Sequence, residues 1–379
     1  MTHPAVARIE THSEAHMPDA LSPQPSEARK ILWALDRQLW TPQTLVALDA
    51  QGNPLGVTLI AGRPLTNYRK IVDVFAANDE VFGALIDAVL ADPGASVLGI
   101  APLVVHFEEH IALEPLSASR RALLGERGFV AAPAPVPSVP STRAGDPNEV
   151  AVWSRWNTSR PVRLAPYYGQ TTEVTCGAVA SLMALEQRGA GAFNTESLAE
   201  NRATEIATWR RATNLPACEP IGLAVEVANS GTAKGLLPSL PSVFLSATGP
   251  VLIEEFSSEE SERALRIDLQ LESLRQAEAL RIPIERRWLE VDEIAALVSG
   301  GAELLLLIDL TLLINDPTPH WVLASDFVDG SLIISDPWVQ YPNGETWADT
   351  FALPIPLESI DRITRWGDPS YRGVIVLPG

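Results

Sequence analysis

At 379 residues the chain exceeds the usual size of one domain, so two domains are expected. Its composition, 46% hydrophobic and 20% charged, is that of an ordinary globular protein, but 28 basic against 47 acidic residues leave a net charge of −19, which argues against a nucleic-acid or anionic-membrane binder. Two cysteines exclude a disulfide scaffold and a multi-cysteine zinc site. The first residues carry no basic segment followed by an apolar core, so no signal peptide is expected. The longest apolar run, Leu304 to Ile314, contains Asp309 and falls short of the roughly 20 residues a membrane helix needs. It reads as a buried strand, and a cytoplasmic location is expected.

Taken in order, Arg29 to Trp40 has helical spacing, with Ile31, Leu32, Leu35 and Leu39 on one stripe. Thr44 to Leu48 and Leu55 to Ala61 read as strands joined through Asp49-Ala50-Gln51-Gly52-Asn53, a hairpin signal. Lys70 to Ala77 is a third strand. Asn78 is a natural N-cap for a helix running through Val81, Leu85, Ile86 and Val89. Ala95 to Val105 reads as a strand, Ser117 to Gly128 as a short amphipathic helix ending at glycine, and Phe129-Val130 as the start of a last strand.

This order resembles the N-acetyltransferase (GNAT-like) fold over roughly residues 5 to 132. In that fold a Gly-rich turn between strand and helix cradles the pyrophosphate of acetyl-CoA on backbone N–H groups. Here the turn is Ala77-Asn78-Asp79-Glu80-Val81-Phe82-Gly83, and its two acids occupy the helix start themselves and repel a phosphate. The domain is therefore expected to be degenerate, without acetyl-CoA, and to hold or position a substrate. No cofactor is expected anywhere in the chain.

The prolines at 133, 135, 137, 140 and 147 forbid helix and central strand, which predicts a linker over 133–149 between domains 1–132 and 150–379. Beyond it, helices are expected at Thr175 to Arg188, Thr195 to Thr213, Ser257 to Leu280 and Val291 to Val298. Strands follow at Leu304–Ile308, His320–Phe327, Ser331–Ser335 and Gly373–Leu377. Helices first and an antiparallel sheet afterwards make an α+β domain.

The chemistry concentrates in this second part. Cys176 opens an apolar helix with Thr175 as its expected N-cap, a position where the positive helix end favours a thiolate. Gly177 is read as leaving room for a substrate carbonyl. Gln170, six residues upstream, has an amide that can join the Cys176 backbone N–H in an oxyanion hole. A nucleophilic cysteine needs a base, and His320 is the only histidine after residue 110. Asp336, at the end of the return strand, can accept the His320 ring N–H. Strand parity sets a condition: a two-residue turn at 329–330 puts Asp336 on the face opposite His320. The triad therefore requires a longer turn, a bulge, or Asp336 beyond the ladder.

Gln170, Thr175-Cys176-Gly177, His320-Trp321-Val322 and Asp336-Pro337 together resemble the papain-like bacteriocin-processing (double-glycine) peptidases, in a bacterial arrangement where such a domain follows a GNAT-like one. The resemblance spans about 150 to 379. It implies Cys176 as nucleophile, His320 as base, Asp336 as orienter and Gln170 as oxyanion donor. It further implies a cysteine-dependent amide hydrolase cutting peptides or small proteins, such as a ribosomally made precursor. The chain departs from the exporters in lacking their membrane and ATPase parts, so the resemblance carries over the hydrolytic machinery and leaves the double-glycine specificity open. Alternatives from the same residues are acyl transfer or amide ligation through the same acyl-enzyme, and an inert peptide-binding module.

The remaining residues of note read as structural. Cys218 has no expected helix start and no histidine near it in sequence, so it is read as structural. Glu205, Trp209, Arg210 and Arg211 read as a solvated helix face in preference to a cleft lining. His106 and His110 mimic a metal-binding spacing, but no helical pattern surrounds them, and no metal is expected.

Overall fold

A computed structural model describes residues 5–92, 99, 101–141, 150–213, 216–253 and 257–379. Two compact units emerge: one from 1–134, 147–160 and 340–349, the other from 135–146, 161–339 and 350–379.

The first unit carries a sheet of strands β1 (Arg8–His12), β2 (Gln43–Leu48), β3 (Pro54–Ala61), β4 (Tyr68–Ala76), β5 (Val104–His110), β6 (Val130–Ala131) and β7 (Val150–Trp156), in the order β1-β2-β3-β4-β5-β7-β6. Its helices are α1 (Glu27–Trp33), α2 (Asp79–Ala91) and α3 (Ala118–Glu126). β4 and β5 run parallel because α2 crosses over between them. The Asn78 side chain caps α2 by accepting the Val81 N–H at 2.9 Å. Val81, Phe82, Leu85, Ile86 and Val89 then bury one stripe of α2 against the sheet. The α/β layout is the expected one. Residues 95–98 and 100 of the expected strand, and 142–149 of the expected linker, lie outside the described residues.

Two features of this unit depart from the sequence reading. β7, placed there in the second domain, pairs with β5 and β6 in the first unit's sheet. Residues 340–349 also belong to the first unit. There Glu345 pairs with Arg63 at 2.5 Å and accepts the Trp40 indole N–H at 2.6 Å, while Lys70 bridges Asp349 at 2.5 Å and Glu108 at 2.9 Å. Fully buried charges such as these persist only when paired, so long-range partners decide where the segment lies.

The second unit is α+β, as expected. Its helices are α4 (Cys176–Gln187), α5 (Leu198–Ala212), α6 (Pro220–Val227), α7 (Glu260–Leu280), α8 (Val291–Ser299), α9 (Thr311–Ile314) and α10 (Leu357–Ile363). Its strands are β8 (Ser242–Leu245), β9 (Ile284–Glu285), β10 (Glu303–Asp309), β11 (Pro319–Val328), β12 (Ser331–Ser335), β13 (Leu353–Pro356) and β14 (Gly373–Leu377). They order as β13-β12-β11-β10-β14-β8-β9, antiparallel except for the β8–β9 pair. α4 packs on β11, and every residue from Cys176 to Leu185 is buried. Among the described residues no helix is long and apolar enough to cross a membrane.

Candidate active site

The parity condition is met by a bulge. Val328 pairs with Ser331 across the two-residue turn Asp329-Gly330, whose φ angles of 45° and 79° are both left-handed, as a tight hairpin requires. The register then shifts between Ala324 and Asp326, leaving Ser325 as the extra residue, so that Leu323 pairs with Ser335. One inserted residue reverses the face of everything beyond it. Asp336 thereby lands on the side of His320. Arg163 fixes the bulge: its Nε donates to the Ser325 carbonyl at 2.5 Å and its backbone N–H to Asp326 Oδ2 at 2.8 Å. Sequence reasoning found no role for Arg163, whose partners at the bulge lie 162 and 163 positions away.

His320 Nε2 sits 2.7 Å from Asp336 Oδ1. An ionised carboxylate only accepts, so Nε2 carries the hydrogen and Nδ1 is left to the side-chain hydrogen bond with Cys176. Asp336 Oδ1 also accepts the Trp338 N–H at 2.8 Å, which steadies the carboxylate. Burial alone would push the His320 imidazole down. The Asp336 charge, then Cys176 and the hydrogen bonds to both, outweigh it and hold the pKa up at about 10. The site is nearly closed to solvent: Cys176 is 6% exposed, Gln170 5%, His320 3% and Asp336 1%.

Gln170 is tied to the same place. Its backbone N–H donates to the Pro337 carbonyl at 2.9 Å, next to Asp336. Its Nε2 donates one hydrogen to the Thr172 carbonyl at 2.7 Å, leaving one amide hydrogen uncommitted. Its buried Oε1 has no protein partner. Thus the structure brings Cys176, His320 and Asp336 together and holds Gln170 on the adjoining loop.

Three readings change. Thr175 precedes α4 but makes no side-chain cap; its hydroxyl donates instead to Glu205. Glu205 is no solvated residue, being 0% exposed. It also accepts from the Thr171 N–H at 2.9 Å, the Thr171 hydroxyl at 2.7 Å and the Tyr168 hydroxyl at 3.0 Å. Burial, then the Glu205 charge, push the Tyr168 hydroxyl up, so it stays a donor. The signal was an inverted one, since Asn201, Glu205 and Thr208 form a polar stripe on the buried side of α5.

Gly177 does not open space for a substrate. A Cβ there would lie 3.0 Å from Cys218 Cβ and 3.1 Å from both Leu223 Cδ2 and Trp321 Cδ1. The glycine is a packing requirement for seating α4 on Trp321, and Gly177→Ala is expected to cost about 1–3 kcal/mol in denaturant unfolding. Cys218 belongs to that packing: its carbonyl accepts the Trp321 indole N–H at 2.8 Å. Burial, then the Cys176 charge, push its thiol well up, so it stays protonated.

His106 and His110 lie on strand β5, where they bond Ser154 Oγ and the Val72 carbonyl, each at 2.9 Å. Among the described residues no group of three or more His, Cys, Asp or Glu is placed to hold a metal ion.

The sequence profile described as the Peptidase_C39 like family matches residues 165–378, a span that contains Gln170, Cys176, His320 and Asp336. No curated protein matches the chain. Solved structures similar to it include a chimeric spermidine N-acetyltransferase from Vibrio cholerae, at 16% identity and TM-score 0.23, covering 30% of this chain and 65% of that one. A mutant spermidine/spermine N-acetyltransferase from the same organism gives 17% identity, 30% and 66% coverage and TM-score 0.23. Nourseothricin acetyltransferase gives 18%, 30%, 65% and 0.23. The match thus spans just under two thirds of each of these chains.

Proposed function

The chain belongs to the Peptidase_C39 like family, and on that premise we propose that it is a cysteine-dependent amide hydrolase acting on peptides or small proteins, such as a ribosomally made precursor. The observation that carries this reading is the 2.7 Å bond from His320 Nε2 to Asp336, which leaves the other ring nitrogen for Cys176. A nucleophile acting on a base that an orienter holds by a hydrogen bond makes up the arrangement acyl transfer requires.

In this mechanism the Cys176 thiolate attacks the amide carbon, and the carbonyl oxygen becomes an oxyanion. The remaining Gln170 Nε2 hydrogen and the Cys176 backbone N–H hold that oxyanion. His320, protonated and paired with Asp336, gives its Nδ1 proton to the leaving amine as the C–N bond breaks. Water, deprotonated by His320, then cleaves the thioester, releasing the acid and restoring the thiolate. Burial of Cys176 and His320 favours a second outcome, in which a bound amine intercepts the thioester and forms a new amide.

Mass spectrometry of the full-length protein with a peptidyl-Gly-Gly-aminomethylcoumarin probe tests both. A thioester on Cys176 and released coumarin are expected. Free acid as product supports hydrolysis, a new amide with added glycine methyl ester supports transfer, and coumarin release without Cys176 modification overturns the mechanism.

A further inference from the structure

Glu205 is a buried carboxylate with no cation: among the described residues no arginine or lysine pairs with it, and its partners are all neutral donors. Burying an uncompensated charge is unfavourable, so the donors must be worth assembling. They come from one short stretch, residues 168–175, the loop that leads into α4. Oε1 accepts the Thr171 N–H at 2.9 Å and the Thr175 hydroxyl; Oε2 accepts the Thr171 hydroxyl at 2.7 Å and the Tyr168 hydroxyl at 3.0 Å.

The placement of these anchors is specific. Gln170 is the chain neighbour of Thr171, and Cys176 is the chain neighbour of Thr175. Both groups assigned to the oxyanion therefore sit one residue from a threonine held by Glu205. From the other side, the Gln170 backbone N–H is fixed on the Pro337 carbonyl at 2.9 Å.

We propose that Glu205 is a positioning residue that sets the spacing between the Gln170 amide and the Cys176 backbone N–H, an inference that rests on the hydrolytic reading above. It never touches the reacting atoms. Its effect falls on the oxyanion side of the site, whereas the Cys176–His320–Asp336 pairing is held by β11 and the Asp336 loop. Glutamate accepts at both oxygens; in glutamine an NH2 either meets the Thr171 N–H, which can only donate, or forces the Thr171 and Tyr168 hydroxyls to turn and accept.

The test uses the full chain, the Gly-Gly-aminomethylcoumarin probe, and iodoacetamide alkylation of Cys176, which needs no oxyanion hole. Glu205→Gln is expected to lower kcat about 10- to 100-fold, a fraction of what losing an oxyanion donor outright costs. KM and the alkylation rate should stay within a factor of about two, because ground-state binding and the thiol–imidazole pair are untouched. In a Gln170→Ala background the Glu205→Gln loss should shrink, since one of the two positioned groups is already gone.

Parallel falls in kcat and alkylation, or full additivity with Gln170→Ala, would show general disruption and overturn the proposal. Should Glu205→Gln fail to fold, Thr175→Ser and Thr175→Val decide: serine keeps the hydroxyl and the rate, valine loses both, and equal rates overturn it. Wild-type turnover with an unaffected Glu205→Gln sinks this inference alone. A wild-type protein with no Cys176-dependent turnover sinks the hydrolytic reading as well.

Discussion

Cys176→Ala is expected to lower amide turnover by about 10³-fold or more while the protein stays folded. The sulfur is the only atom that can form the thioester, and among the described residues the one other cysteine, Cys218, is buried with its thiol pushed well up. Removing one sulfur at the first position of α4 leaves a small void, costing about 1 kcal/mol, because the helix is held by burial from Cys176 to Leu185 along its whole length. Steady-state kinetics beside a thermal melt measures both halves. Retained turnover in this variant would end the cysteine mechanism.

His320→Ala should lose nearly as much, whereas Asp336→Asn should lose only about 10- to 100-fold, since the Asn carbonyl can still accept from His320 and from the Trp338 N–H. Its larger signature is in pH. In the wild type, burial presses the imidazole down and the Asp336 charge is the foremost influence raising it, to about 10. A raised histidine pKa contributes stability that is complete below the ordinary value of about 6.5 and is lost as pH rises through about 10. The acid that protonates the leaving amine is lost over that same upper range. In Asp336→Asn burial still presses the imidazole down and only Cys176 is left to oppose it, so the alkaline limb of kcat/KM should move down from about 10. An unshifted limb would mean that Asp336 holds the ring by geometry alone and not through its charge.

Much of the fold is written locally. α2 begins at Asp79 because Asn78 caps it, and β14 spans Gly373–Leu377 as its apolar run indicates. Cap chemistry and hydrophobic period act over a few residues and survive without knowledge of partners. The same holds for the choice of candidate site residues. A cysteine at a helix start, a glutamine upstream and one histidine beyond residue 110 select Cys176, Gln170 and His320 from residue types alone. Asp336 followed from the hairpin pattern, with a stated condition on parity.

How those residues meet was decided elsewhere. The bulge at Ser325 that turns Asp336 toward His320 is held by Arg163, 162 positions away. Glu205 read as part of a solvated helix face in sequence, yet it is buried on Tyr168, Thr171 and Thr175, and Glu345 and Asp349 are buried on Arg63 and Lys70, far along the chain. Gly177 is glycine because Cys218, Leu223 and Trp321 crowd it. The sequence by itself determined which side chains can do the chemistry and which elements carry them, because propensity, capping and periodicity are short-ranged. Only the tertiary structure decided register, close packing and the pairing of buried charges, because a buried carboxylate or an extra strand residue has no favourable state until a distant partner supplies one.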